Sequence, residues 1–170
     1  THSCSTSVAP CVETPFTHYL KLRASAGFQF INFDTGRRIG DTSYGSDFYA
    51  NLLLSHRINA AISQTLAAGH ESQLGVNSNF VVLNYVRHTA TWNIINHVLL
   101  ATEAFYEDGD DSGGVFSEHI QRYGGAATVG YQLTPHVTLG LRYQYTQKQS
   151  DQPLRDYKQN RISFDGTYSF

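Results

Sequence analysis

The last ten residues of the chain alternate between apolar and polar side chains. In an extended strand, successive side chains point to opposite faces. One face of this segment therefore carries Ile162, Phe164, Tyr168 and Phe170, and the other carries Arg161, Ser163, Asp165, Thr167 and Ser169. A helix would instead need apolar residues at three- and four-residue steps. The segment predicts a two-sided β-strand, and it constrains the whole fold if the rest of the chain repeats the pattern.

The same period of two recurs in seven upstream segments, which begin near positions 20, 48, 62, 80, 98, 123 and 137. In the clearest of them, Leu139, Leu141 and Tyr143 alternate with polar or small residues such as Arg142. Hydrophobic residues make up 41% of the chain, but no apolar run approaches the roughly 18 residues that a membrane helix needs. We therefore predict an all-β fold with eight antiparallel strands.

The connections between these strands alternate in length when they are counted from the C-terminus. The long ones are Asp34–Asp47, Asp108–Glu118 and Gln149–Gln159, with a shorter one at Val76–Asn79, and the tight ones lie near Asn59–Ala61, Asn93–His97 and Leu133–His136. Long loops at one end and short turns at the other are typical of transmembrane up-and-down β-barrels, whose loops are extracellular and whose turns are periplasmic.

Charged residues indicate which face lines the interior. An Arg or Lys that faces lipid near the membrane midplane costs roughly 2–4 kcal/mol, and an unpaired charge in a dry core is also costly. A wet lumen tolerates such residues. We predict that the polar face lines a lumen through Lys21, Arg23, Arg57, Glu71, Arg87, Glu103, Glu107, Arg122, Arg142, Arg161 and Asp165. A soluble barrel or sandwich that shows this face to water is a weaker alternative.

Two resemblances follow from these segments. The aromatic C-terminal strand resembles the closing strand of bacterial outer-membrane β-barrels, which the barrel-assembly machinery reads, here through Phe170. Four segments also resemble the beta-barrel porin family linked to surface-polysaccharide export: FYANLLLSHRIN (Phe48–Asn59), GHESQLGVNSNFVVLNYVR (Gly69–Arg87), RYGGAATVGYQLTPHVTLGLR (Arg122–Arg142) and DYKQNRISFDGTYSF (Asp156–Phe170). The resemblance implies location in the bacterial outer membrane, contact with its lipid and lipopolysaccharide, and a polysaccharide or envelope protein as partner.

The N-terminal region is interpreted as a leader over residues 1–17, followed by the barrel strands over residues 18–170. Cys4–Glu13 is predicted to be a poor strand because Pro10 lies inside it. Thr14-Pro15, however, resembles Thr134-Pro135, which leads into the seventh strand. Members of the porin family are usually longer than this chain. Two interpretations therefore stay open: a self-contained eight-stranded barrel, or the C-terminal part of a larger one.

Motifs for catalysis, metal binding or cofactor binding are not recognised in the sequence. Cys4 and Cys11 form a disulfide or are free thiols. The acidic run Glu107–Gly113 lacks the distal glutamate of a calcium loop and is predicted to be a solvated extracellular loop. The histidines lack metal-ligand spacing, and no Gly-x-Ser-x-Gly motif is present. The net charge of −2 gives no general attraction to nucleic acid. We predict a non-enzymatic protein without cofactor or metal.

The favoured function is a passive porin-like channel or a component of surface-polysaccharide export. The main alternative is a closed eight-stranded barrel with a structural or adhesive role, acting through its extracellular loops. A soluble ligand-binding barrel comes third. Strand number separates the first two, because side chains fill the interior of an eight-stranded barrel, whereas a wider barrel leaves a water-filled channel whose lining sets selectivity.

Overall fold

A single antiparallel β-sheet contains the residues that the computed structural model describes, which are 3–8, 11–33, 44–74, 80–111 and 117–169. Its ten strands are β1 (Ser3–Val8), β2 (Cys11–Pro15), β3 (Leu20–Phe33), β4 (Tyr44–Arg57), β5 (Ile62–Leu74), β6 (Phe80–Ile95), β7 (Val98–Asp111), β8 (Glu118–Thr134), β9 (Val137–Ser150) and β10 (Tyr157–Tyr168). Within these ranges, no helix is long and apolar enough to cross a membrane.

Each strand from β3 to β10 pairs with its neighbour in the sequence, so the sheet has an up-and-down topology. Strands β1 and β2 pair with different parts of β3, and together they occupy one row. The sheet therefore has nine rows. The strand ends that border residues 34–43, 75–79 and 112–116, which lie outside the described residues, form one end of the sheet together with the connection 151–156. We call this the loop end, and the opposite turn end carries the connections 16–19, 58–61, 96–97 and 135–136. The predicted all-β, antiparallel up-and-down architecture is confirmed.

The N-terminal strands correct the expectation that Cys4–Glu13 makes a poor strand. Ser3–Val8 pairs with Phe28–Phe33 of β3, and Cys11–Pro15 pairs with Lys21–Ser25. Pro10, which argued against a strand, falls between β1 and β2 in the sequence and lies outside the described residues. The predicted count of eight strands is therefore wrong for this chain, because the sheet gains a ninth row from residues upstream of β3.

The strands also extend further into the predicted connections than the alternation indicated. Tyr44–Asp47 belongs to β4, and Asp108–Asp111 belongs to β7. The acidic run is thus mostly part of a strand rather than a solvated loop, up to Asp111. Backbone pairing continues there because the ladder depends on N–H and C=O groups, and polar side chains do not interrupt it.

Side-chain exposure shows which face is which. Leu141 and Tyr143 of β9 are 53% and 47% exposed, although both are large and apolar. Arg142 between them points to the opposite face, where it is partly buried and contacts Glu103. The same holds on β10, whose Ile162 and Phe164 are highly exposed. Apolar residues thus cover the outward face of the curved sheet, and charged residues lie on its inward face.

The short turns at the turn end are fixed by side-chain caps. Asn59 accepts hydrogen bonds through Oδ1 from the backbone N–H of Ala61 and of Ile62, each at 2.8 Å. The hydroxyl of Thr134 accepts hydrogen bonds from the backbone N–H of His136, just before β9, and from that of Val137, the first residue of β9. Thr17 caps the turn between β2 and β3 in the same way. The likeness of the Thr14 and Thr134 regions therefore reflects two turns at the same end of the sheet.

The register separates the two cysteines. Cys4 lies opposite Asn32 of β3, whereas Cys11 lies opposite Ser25. Seven residues along a strand correspond to about 23 Å, far beyond the roughly 7 Å that a disulfide allows between Cα atoms. Cys11 is an exposed free thiol. The register therefore rules out a disulfide between Cys4 and Cys11 within one chain.

Adjacent alanines in the middle of β8 allow a direct test of the two faces. Ala127 lies on the exposed outward face, and Ala126 lies on the inward face opposite Glu103. In lipid vesicles, we expect Ala127→Arg to lower the free energy of unfolding by about 2–4 kcal/mol, because its charge faces hydrocarbon. Ala126→Arg should lower it much less. Urea titration measures both values, and equal losses would contradict the face assignment.

Candidate lumen surface

The eleven residues predicted to line a lumen all lie on the inward face of the sheet. The cross-strand registers from β3 to β10 put all eleven side chains on the same side of the sheet. They are Lys21 and Arg23 on β3, Arg57 on β4, Glu71 on β5, Arg87 on β6, Glu103 and Glu107 on β7, Arg122 on β8, Arg142 on β9, and Arg161 and Asp165 on β10. The structure thus brings them onto a single surface, although it does not bring all of them into contact.

Five of these residues form a continuous chain of ion pairs across β6–β9. Arg122 contacts Glu107 at 2.5 Å, and Arg87 contacts Glu107 at 3.4 Å from its other side. Arg87 also lies 3.6 Å from Glu103, which Arg142 contacts at 3.0 Å. Three guanidinium groups therefore alternate with two carboxylates. We name this set, Arg87, Glu103, Glu107, Arg122 and Arg142, the ion chain.

The register explains how the ion chain forms. Glu107 and Arg122 are direct partners across β7 and β8. Glu103 instead lies opposite Ala126, whose small side chain leaves room for Arg142 to reach across β8 from β9. Glu107 is 5% exposed, and a buried carboxylate is stable only where its charge is compensated. The two arginines beside it supply that compensation.

A polar cavity of about 270 Å³ lies against the ion chain. It is lined by Arg87, Glu103, Phe105, Glu107, Arg122, Gln144, Thr146, Tyr157 and Gln159. Guanidinium, carboxylate and amide groups converge here within one volume. Such a lining can hydrogen-bond a polar solute from several sides.

Two aromatic rings on the inward face lie over glycines of neighbouring strands. A Cβ added at Gly69 would stand 2.9 Å from the ring of Tyr85, and one added at Gly124 would stand 3.0 Å from the ring of Phe105. Gly69 is the cross-strand partner of Tyr85, and Gly124 is the cross-strand partner of Phe105. Both aromatic residues lie on strands that carry residues of the ion chain. The rings therefore occupy space that any other residue would fill, and they lie close to the wall instead of projecting into the interior.

A second inward region is cationic. Lys21 and Arg23 lie two residues apart on β3, and Arg57 lies at the turn end of β4. Arg23 is opposite Glu13 of β2. Glu13 is not among the eleven residues predicted to line the lumen. Among the eleven predicted residues, seven are cations and four are carboxylates. The predicted set therefore carries a net positive charge, but Glu13, Asp111 and Glu118 share its face with Lys148, so the positive charge is concentrated in the ion chain and in the cations of β3 and β4.

The loop end of the inward face is tied by a buried carboxylate. Glu118 accepts hydrogen bonds from Lys148 at 2.5 Å, from Ser150 at 2.6 Å and from Arg155 of the 151–156 loop at 2.7 Å. Burial alone would raise the pKa of Glu118, but these three bonds outweigh it and lower the pKa to about 2. Glu118 thus stays ionised in ordinary solution and holds the loop against β8.

On the outward side of the same end, His119 links the acidic run to the loop. Its Nδ1 lies 2.7 Å from Asp110 and its Nε2 lies 3.3 Å from Asp108. Its backbone N–H donates to Asp151 at 2.9 Å. The hydrogen bond to Asp110, together with the charges of Asp108 and Asp151, raises the pKa of His119 despite some desolvation. Two carboxylates of the acidic run thus contact His119 instead of standing alone in solvent.

Several residues of this surface were not predicted from the sequence. Glu118 and Lys148 follow the same alternation as Arg122 and Arg142. Extending the alternation of β8 back to Glu118 and that of β9 on to Lys148 would have included both. Tyr85 and Phe105 were missed because an aromatic residue in the polar phase carries no charge signal. Within the described ranges, no group of three or more His, Cys, Asp or Glu residues could hold a metal ion.

These features define a fold class: an all-β protein with one antiparallel up-and-down sheet, apolar on its outward face and charged on its inward face, which is the organisation of a transmembrane β-barrel. Comparison with solved structures finds this fold in a NanC porin from a rhombohedral crystal form, with a TM-score of 0.53 and 11% identity over 98% of this chain and 94% of that one. At this identity the likeness shows the fold. No protein-family model matches the chain, and no curated protein matches it.

Gly124 provides a test of the ring-over-glycine arrangement. We expect Gly124→Ala to lower the free energy of unfolding by about 1–3 kcal/mol, because the methyl group would collide with the Tyr145 carbonyl and the Phe105 ring. Gly130→Ala on the same strand is the control, since its Cβ would stand 3.7 Å from Leu99 in ordinary contact. Urea unfolding measures both, and a larger loss for Gly130→Ala would contradict the arrangement.

Glu118 provides a test of the loop attachment. In Glu118→Gln the loop loses its charge-assisted bond from Arg155, so we expect trypsin to cleave after Arg155 about tenfold faster or more. Glu103→Gln is the control, because it removes a carboxylate from the ion chain without contacting the loop. Mass spectrometry of the released peptides gives both rates. Equal cleavage rates in the wild type and Glu118→Gln would show that Glu118 does not hold the loop.

Proposed function

We propose that this chain forms the wall of a passive outer-membrane channel for small polar solutes, with a preference for anions. The observation that carries the proposal is the ion chain on the face opposite the exposed apolar residues. Charges placed in this way need water beside them, and an outward face of Leu141, Tyr143 and Phe164 suits hydrocarbon. The likeness to a porin supports the same assignment.

Anion preference is supported by two local surpluses of cationic side chains on the inward face. Rings of cationic side chains favour anions in a pore. The ion chain carries one more guanidinium group than carboxylates, and Lys21, Arg23 and Arg57 add further positive charge on the opposite part of the sheet. These residues would attract an anionic solute at the turn end, which corresponds to the periplasmic mouth in this orientation.

Surface polysaccharide as the cargo is a finer proposal that rests on the sequence resemblance. Tyr85 and Phe105 offer aromatic surface to sugar rings, and the arginines and carboxylates of the ion chain offer hydrogen bonds to their hydroxyl groups. Contact with lipopolysaccharide and assembly through Phe170, which lies outside the described residues, belong to the same proposal. No catalytic step is proposed for this surface.

A structural or adhesive barrel is the second candidate, and the loop 151–156 favours it. This loop is fixed by Glu118 inside, by His119 outside and by a 3.0 Å bond from Gln152 to the Ser117 carbonyl. It presents Leu154 fully exposed, with a φ of 66°. A preordered loop with an exposed apolar residue loses little entropy on binding a partner.

Planar-bilayer recording separates the two candidates. We expect discrete conductance steps and a reversal potential displaced toward anion permeation. Lys21→Gln combined with Arg57→Gln should reduce the anion preference, because it removes two inward cations. Lys158→Gln is the control, since Lys158 is exposed on the outward face of β10. Protein that inserts but gives no steps would refute the channel and favour the adhesive barrel.

A further inference from the structure

The two edges of the sheet are the starting point. Among the described residues, the row of β1 and β2 pairs with β3 alone, and β10 pairs with β9 alone. Each edge strand therefore presents N–H and C=O groups on one side without a described strand against it. In a bilayer core, such groups must be paired within protein, because hydrocarbon offers no hydrogen bonds.

Both edges run in the same direction. β1 and β2 precede the turn at 16–19, so this row runs from the loop end to the turn end. β10 follows the loop 151–156, so it also runs from the loop end to the turn end. This is a necessary result of nine alternating rows. The direction comes from strand pairing and does not depend on where the polypeptide begins or ends.

Equal direction restricts what can join the edges. If β10 paired directly with β1 and β2, the pairing would be parallel, whereas bacterial outer-membrane barrels have even numbers of antiparallel strands. A second copy in the same membrane orientation offers edges that run the same way, so it would also pair in parallel. Antiparallel pairing at either edge requires a strand that runs from the turn end to the loop end.

We infer that the seam between β10 and the β1/β2 row is occupied by one such strand, or by an odd number of added strands, from polypeptide outside Ser3–Tyr168. Next to the edges, the outward positions are Val12, Ile162 and Phe164, and the inward positions include Glu13 and Asp165. We expect the added strand to carry apolar side chains at its outward positions, beside Val12, Ile162 and Phe164. We expect polar side chains at its inward positions, beside Glu13 and Asp165.

The inference deepens the proposed channel and rests on it for the membrane around the edges. An eight-stranded barrel is filled by its own side chains. Nine rows plus at least one added strand give a wider barrel, which leaves room for water beside the ion chain. The seam and the conductance are separate observations, so either can fail while the other stands.

Disulfide trapping in the assembled outer-membrane protein tests the seam. In a Cys4→Ser, Cys11→Ser background, Glu13→Cys is combined in turn with Ser163→Cys, Asp165→Cys and Thr167→Cys. The positive control is Gly140→Cys with Asp165→Cys, because a Cβ at Gly140 would stand 3.7 Å from the Asp165 Cβ, within disulfide geometry. We expect the control to cross-link and the three seam pairs to remain unlinked, both within one copy and between copies.

Hydrogen exchange on residues 157–167 of the same preparation completes the test. If an added strand is present, the amides of β10 that point away from β9 should be protected like those that point toward it. A seam disulfide within one copy would show direct parallel closure, and one between copies would show a dimer seam. Either result, or rapid exchange of every second β10 amide, would overturn the inference whether or not the protein conducts.

Discussion

The register of the cross-strand hydrogen bonds is the constraint on which the rest of the structure depends. Because side chains alternate with a period of two, a slip of one residue moves a whole strand's set to the other face. Such a slip of β9 would place Arg142 in hydrocarbon and Leu141 beside Glu103. The cost of those two changes fixes the register, and the same reasoning applies from β3 to β10.

The ion chain follows from that register and also reinforces it. Glu107 is buried, and if it lost both arginines its charge would be uncompensated, which typically costs about 3–5 kcal/mol for a buried ion. The gain from the intact pair is smaller than this penalty, so the ion chain contributes more to specifying one arrangement than to net stability. Arg87 contacts both carboxylates, and it therefore couples the positions of β6 and β7 to those of β8 and β9.

The sequence predicts the faces well because each one depends on a local alternation that every strand repeats. The partners within a face were not predictable in the same way. That Arg142 contacts Glu103 depends on strand register and on the small size of Ala126, which no single segment encodes. Strand ends were also missed, since the ladder continues past the apolar residues through Asp108 and Asp110. The N-terminal row was not predicted because β1 and β2 are each too short to show a clear alternation.

The charges and the strand directions lead to the same view of the interior by independent routes. An ion chain with one surplus cation, together with the cations of β3 and β4, needs water, which a barrel filled by side chains does not provide. The odd number of rows needs an added strand, and any added strand increases the diameter. The proposed wet interior and the inferred added strand therefore agree with each other: both call for a barrel of more than eight strands, and the nine rows have two edges that cannot pair with each other in the antiparallel sense.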